Sequence, residues 1–125
     1  AGSVSFFFEE EGALFSGDAI PAAGSIPIYG DPKAVVASIE RLARLADIRV
    51  LLSSWHDPIF GERITATMDE GRGYIERIGG LVREIHAKEP HLSAEALSLK
   101  VLERLGIGIP RVLSMVEASI KSHLQ

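Results

Sequence analysis

Residues 15–20 read Phe-Ser-Gly-Asp-Ala-Ile, and residues 51–57 read Leu-Leu-Ser-Ser-Trp-His-Asp. In both stretches an apolar run typical of a buried strand stops at a residue that can bind a metal, Asp18 in the first and His56 in the second. Strand ends followed by helices are where α/β proteins place binding and catalytic side chains, because side chains from different strands converge there on one open edge. Asp18 and His56 are therefore predicted to belong to one functional site.

The segments around these stretches predict an α/β domain of the α+β layered kind, with a hairpin, a helix and a further strand in that order. Strands are predicted at residues 3–8, 13–16 and 48–53, because β-branched and aromatic residues are concentrated there between turn residues. A helix is predicted from the N-cap Asp31 to about residue 46, since Pro follows at the first helical position.

The rest of the chain is predicted to be helical, with strands only before residue 54. Apolar spacing and capping residues predict helices at 62–88, 93–106 and 110–123. Four glycines within the first of these predict either close packing against a neighbour or a break in the helix. The single domain then divides into a strand-rich segment, 1–61, which holds the candidate ligands, and a helical segment, 62–125.

Composition limits the classes of function. A chain of 125 residues with 46% apolar residues can form the core of one small domain, and a formal net charge of −4 argues against a nucleic-acid partner. The absence of cysteine excludes disulfides, zinc–thiolate sites and thiol nucleophiles, and it fits a cytoplasmic location. No apolar run approaches the roughly 18–20 residues of a membrane span, so no membrane partner is predicted.

Each candidate residue also has a structural interpretation. Asp18 follows a glycine at a strand end, where aspartate often serves only as a turn former. His56 can be a hydrogen-bonded structural histidine, and Asp57 beside it can orient the ring as a carboxylate partner. Tyr29 and Trp55 are candidates for the lining of a substrate pocket, with packing as the alternative.

Two further groups of residues are not expected to take part. Three histidines in or beside the C-terminal helices show no ligand spacing and are predicted to be exposed: His86, His91 and His123. Ser53 and Ser54 are close to His56 in sequence, but strand alternation predicts that a neighbouring serine and histidine point to different sides. No serine nucleophile is therefore expected.

Taken together, residues 3–8, 13–19 and 51–56 resemble the second half of the metallo-β-lactamase superfamily of hydrolases, with Phe-Ser-Gly-Asp-Ala as the most specific segment. The resemblance implies part of an αββα sandwich in which Asp18 bridges two metal ions and His56 is the last ligand of one of them. It implies zinc, or iron or manganese, and hydrolysis of a small-molecule thioester, lactone or other small ester.

Two motifs of that superfamily, His-x-His-x-Asp-His and the Gly-His-Ser/Thr-Pro-Gly-Ser segment before the hairpin, are absent from the sequence. The chain is therefore expected to be a C-terminal fragment of such a hydrolase. A metal of this kind needs about four to six donors, and catalysis needs the metal to lower the pKa of bound water to about 7. Asp18 and His56 supply two donors, so the isolated chain is expected to be inactive.

The absent half of the sandwich would leave apolar surface uncovered, which predicts a homo-oligomer. The alternative function, from a different class, is a non-catalytic structural or self-association module in which the helices after residue 62 pack against a partner or a second copy.

Overall fold

The computed structural model describes residues 4–125, so residue 3 of the first predicted strand lies outside the described part. Within it the chain forms four strands and four helices, a mixed α/β composition that agrees with the predicted fold class. Their bounds are β1 Phe6–Phe8, β2 Ala13–Gly17, α1 Pro32–Ala43, β3 Val50–Ser53, β4 Ile59–Phe60, α2 Glu62–Lys88, α3 Ala94–Leu105 and α4 Leu113–Ser122.

The strands form one mixed sheet in the order β1-β2-β3-β4. β1 and β2 form the predicted antiparallel hairpin, whose turn ends at Gly12 with a φ of +65°. β2 and β3 are parallel, and β3 and β4 are antiparallel. A parallel pair needs a crossover connection, which α1 provides. The consequence for function is that the carboxyl ends of β2 and β3 lie at the same edge of the sheet.

One face of the sheet packs against helices. Pairing across the strands aligns a row of side chains on this inner face: Phe7, Leu14, Leu51 and Ile59. Leu14 and Leu51 are fully buried, and they pack with apolar residues of α1 and α2 such as Ile39 and Met68. This alternation of buried and outward residues is what a sheet covered on one side requires.

The other face, called here the open face, carries two rows of apolar side chains across the sheet. The register aligns Phe8, Ala13, Val50 and Phe60 in one row and Phe6, Phe15 and Leu52 in the other. The aromatic members are 43–64% exposed, and the rings of Phe8 and Phe15 meet edge to face with centroids 5.6 Å apart. An apolar face of this kind is unusual on a monomer surface.

A second core lies among the helices. Residues of α2, α3 and α4 form it, and its most deeply buried members are Ile78, Val82, Val101, Val116 and Ile120. α2 belongs to both cores, because Ile64 and Met68 near its start pack under the sheet. Ser93 caps α3 by accepting from the Ala96 N–H, and Gly106 ends it in the left-handed region, as the sequence predicts.

The glycines of α2 do not break the helix, which is continuous from Glu62 to Lys88. Gly71 is instead a point of close approach. A Cβ atom there would lie 2.9 Å from Ile20 Cγ2 and 3.0 Å from the Pro21 carbonyl oxygen, whereas Gly73 faces open space. The backbone that follows Asp18 therefore rests directly on α2, and the alternative of close packing is confirmed at Gly71.

Gly71→Ala is accordingly expected to lower the free energy of unfolding by about 1–3 kcal/mol, the usual cost of overpacking. Gly73→Ala, two positions along the same helix, is expected to raise it by up to about 1 kcal/mol, because alanine is the better helix former. Urea denaturation of the two variants beside the parent chain measures both effects. Equal changes in the free energy of unfolding of the two variants would show that the close contact with Ile20 and Pro21 does not destabilise Gly71→Ala.

Two sequence predictions about secondary structure are wrong. A strand follows residue 54, since Ile59–Phe60 pairs with β3, and a strand of two residues is too short to show a period. The last helix begins at Leu113 rather than Pro110, because residues 111 and 112 form a turn without a side-chain cap. No helix within residues 4–125 combines the length and apolarity needed to cross a membrane.

Candidate functional site

Asp18 and His56 follow the ends of two neighbouring parallel strands. Asp18 comes directly after β2, and His56 lies three residues after the end of β3. The last residues of these strands, Gly17 and Ser53, are paired in the sheet. The parallel pairing thus brings the two stretches that open the sequence to one edge of the sheet.

The backbone around Asp18 is held by two hydrogen bonds. The Ala19 N–H donates to the Ser16 carbonyl oxygen at 3.0 Å, which closes a tight turn, and the Ser54 N–H donates to the Gly17 carbonyl oxygen at 3.0 Å. Gly17 has a φ of +54°, a left-handed conformation that glycine adopts without strain. Asp18 itself is exposed. The hydrogen bond from Ser54 to Gly17 links its turn to the end of β3.

His56 is half-buried and makes a hydrogen bond through its ring. Its Nδ1 atom lies 2.7 Å from Ser53 Oγ, and Ser53 Oγ also accepts the Trp55 N–H at 3.1 Å. The prediction that Ser53 points away from His56 is wrong, because His56 lies in the turn after β3, where strand alternation no longer applies. Among the described residues the ring's hydrogen-bond partner is Ser53 rather than Asp57.

An open groove of about 780 Å³ lies beside Asp18, between the residues that precede β1, the loop after β2 and α1. Asp18, Tyr29 and Arg41 are among its lining residues, whereas His56 and Trp55 are not. Trp55 is 56% exposed, which contradicts a packing role for its ring. Tyr29 lies on this groove and also packs against the helical core, as its packing interpretation predicts.

Tyr29 is also anchored to α4. Its backbone N–H donates to Ser119 Oγ at 2.8 Å, the Ser119 hydroxyl donates to its carbonyl oxygen at 2.7 Å, and its phenol lies 2.5 Å from His123 Nε2. Burial raises the pKa of Tyr29 above its ordinary range, so the phenol keeps its proton while it forms a hydrogen bond with His123. The loop between Asp18 and α1 is held in place by these bonds.

His123 is half-buried, so the prediction that it is exposed is wrong, while His86 and His91 are exposed as predicted. The Tyr29 ring meets it edge to face, and nothing in the spacing of the two residues, 94 positions apart, signals that contact. Burial, and secondarily the charge of Arg83, lowers the pKa of His123 below its ordinary value of 6.5.

This shift predicts a loss of stability in mild acid. Because the pKa of His123 is lower in the folded chain, the unfolded chain takes up the proton first as the pH falls. The stabilisation that neutral His123 contributes to the folded chain is fully present above the ordinary pKa of histidine. It is lost as the pH falls through the lower pKa that His123 has in the folded chain. The urea concentration at the unfolding midpoint should drop between about pH 7.5 and about pH 5, and this drop should be smaller in His123→Gln than in the parent chain. His86→Gln, at an exposed position, serves as the control and should leave the drop unchanged.

One further polar group at this edge was not predicted from the sequence. Ser16 is fully buried on the inner side of β2, where the pairing with β3 has an irregularity, and its hydroxyl finds no hydrogen-bond partner among the described residues. A buried unsatisfied hydroxyl costs about 1–3 kcal/mol.

The donor set suits a metal but is not complete. A carboxylate and an imidazole are both ligands of zinc, iron and manganese. Within residues 4–125, however, no group of three or more side chains from the ligand-forming types (His, Cys, Asp, Glu) is arranged to hold an ion. Asp18 and His56 are residues of types that bind such ions, and they follow the ends of two neighbouring strands.

The resemblance in sequence is confirmed: the chain is similar to a hydrolase of the metallo-β-lactamase superfamily. A curated relative is the hydroxyacylglutathione hydrolase of Methylococcus capsulatus, with which the chain shares 31% identity over 128 aligned residues. The alignment takes in 90% of this chain and 50% of that protein, so the chain spans about half the length of this relative. No family model matches the chain.

Proposed function

We propose that this chain is the part of a metal-dependent hydrolase that carries Asp18 and His56, and that the complete enzyme cleaves a thioester. The observation that carries the proposal is the pairing of Gly17 with Ser53, by which two parallel strands present a carboxylate and an imidazole at one sheet edge. The relative is a hydrolase of hydroxyacylglutathione, in which the acyl group is joined to sulfur. That bond is the basis for choosing a thioester over a lactone or an oxygen ester.

In this proposal the chain supplies two ligands, with Asp18 in the bridging role and His56 in the terminal one that the superfamily resemblance implies. Zinc, or iron or manganese, would be held together with donors from the half of the enzyme that lies outside the match. When bound, such an ion supplies an activated water near neutral pH. Asp18 suits the bridging role because a carboxylate has two oxygens and its turn is fixed by two backbone hydrogen bonds.

The groove beside Asp18 is the proposed wall of the substrate site. It is open enough to take a small molecule, and Tyr29 on its lining is held by Ser119 through its backbone and by His123 through its phenol. Arg41 gives the groove a cation, and the salt bridges found among residues 4–125 do not involve it. A carboxylate on the substrate is a suitable partner for such a guanidinium.

The open face supports a further part of the proposal, the αββα sandwich. Two apolar rows across the sheet, with aromatic rings 43–64% exposed, are what a second packed sheet would cover. The same observation favours the second candidate function, a non-catalytic self-association module in which another copy covers this face.

An activity assay separates the two candidates. The complete gene product that carries this chain is expected to hydrolyse a hydroxyacylglutathione faster than an oxygen ester or a lactone of the same acyl group. Removal of metal with a chelator should abolish hydrolysis, and zinc, iron or manganese should restore it. Unchanged hydrolysis after chelation would contradict the metal-dependent mechanism, and a metal-loaded protein without esterase or thioesterase activity would favour the self-association module.

A further inference from the structure

The contact between Ser53 and His56 bears on which nitrogen of the ring is free to bind. Ser53 Oγ lies 2.7 Å from Nδ1 of His56, which leaves Nε2 as the ring atom without a hydrogen-bond partner among the described residues. A histidine that ligates through Nε2 must carry its proton on Nδ1, and such histidines usually donate that proton to a neighbouring acceptor.

We propose that Ser53 is a positioning residue, which holds the ring of His56 in the Nδ1-protonated form and so keeps the lone pair of Nε2 available. The positioning role rests on the proposed function in one respect only, which is that Nε2 is taken to be the atom that binds the metal. The state of the ring itself belongs to the chain without metal and can be measured there.

The hydroxyl of Ser53 is suited to this role by its other bond. A serine oxygen has two acceptor lone pairs, and the Trp55 N–H occupies one of them at 3.1 Å. The second lone pair accepts the Nδ1 proton of His56. Both donors come from the turn directly after β3, so one side chain closes this turn and orients the ring.

The same turn is connected to Asp18. Ser53 pairs with Gly17 in the sheet, and the Ser54 N–H donates to the Gly17 carbonyl oxygen at 3.0 Å. The residue that orients His56 is therefore bonded through its backbone neighbour to the turn that presents Asp18. Ser53 therefore orients His56 from a strand end that is hydrogen-bonded to the turn of Asp18, the other candidate ligand.

Nuclear magnetic resonance tests the proposal without metal or substrate. Long-range ¹H–¹⁵N spectra of the 125-residue chain, recorded well above the pH at which histidine is protonated, report which ring nitrogen of His56 carries the proton. The parent chain should show the Nδ1-protonated form. Ser53→Ala should shift the ring toward the Nε2-protonated form, which predominates in free histidine, and Ser53→Thr should restore the parent spectrum. Ser54→Ala removes a neighbouring exposed hydroxyl and is the matched control.

An Nε2-protonated ring in the parent chain would overturn the proposal, as would an unchanged ring in Ser53→Ala. In the complete gene product, Ser53→Ala should weaken zinc binding roughly 10–100-fold, as loss of an outer partner of a ligating histidine does, and Ser53→Thr should recover it. If the complete gene product binds no metal while the ring behaves as expected, the proposed function fails and the positioning role stands.

Discussion

Replacing Asp18 by Asn or His56 by Gln in the complete gene product is expected to reduce thioester hydrolysis by more than about 100-fold. Loss of an outer partner alone costs roughly 10–100-fold, so loss of a ligand should exceed that range. Asp18 should have the larger effect, because in the proposed site its carboxylate would serve two ions. Hydrolysis is measured with saturating metal and also after dialysis, and bound metal is counted by elemental analysis of the same samples.

Two controls separate chemistry from folding. Asp47→Asn and His86→Gln change the same residue types at exposed positions away from the sheet edge, and both should retain activity and metal. Circular dichroism should be unchanged in all four variants, because Asp18 is exposed and His56 only half-buried. Full activity and metal content in Asp18→Asn would contradict the assignment of Asp18 as a ligand.

The capped helices of this fold were accessible from the sequence because their signals are local. Asp31 and Ser93 accept backbone N–H groups at the starts of α1 and α3, and Gly106 ends α3, as their residue types predict. β4 and the start of α4 were not accessible for the opposite reason. Ile59–Phe60 is a strand only because β3 lies beside it, and the chain before Leu113 has no side-chain cap to mark the boundary.

The candidate site also has a part that the sequence predicts and a part that it does not. That Asp18 and His56 belong at one edge follows from strand order, since a strand, a helix and a strand predict a parallel pair. The bond between Ser53 and His56 depends on the path of a turn, to which the alternation of a strand does not apply. The anchoring of Tyr29 by His123 joins residues 94 positions apart, and no sequence period connects them.

The isolated 125-residue chain is expected to self-associate through its open face, and Phe8→Thr combined with Phe60→Thr is expected to weaken that association by at least about 100-fold. Burying a phenylalanine side chain contributes about 1.5–3 kcal/mol, and each 1.4 kcal/mol is a factor of ten in the dissociation constant. Threonine keeps the strand preference of these positions, so the sheet itself should remain. Sedimentation velocity over a range of concentrations measures the association.

Phe8 and Phe60 are the right pair because the register places them at opposite ends of one row, on β1 and β4, so that together they span the sheet. Ile109→Thr is the matched control, since Ile109 is 74% exposed but lies between α3 and α4. A parent chain that stays monomeric at high concentration would contradict the prediction, and so would equal weakening by Ile109→Thr. In the complete gene product the proposed second sheet of the sandwich would cover these two rings. The double variant should there lower the free energy of unfolding.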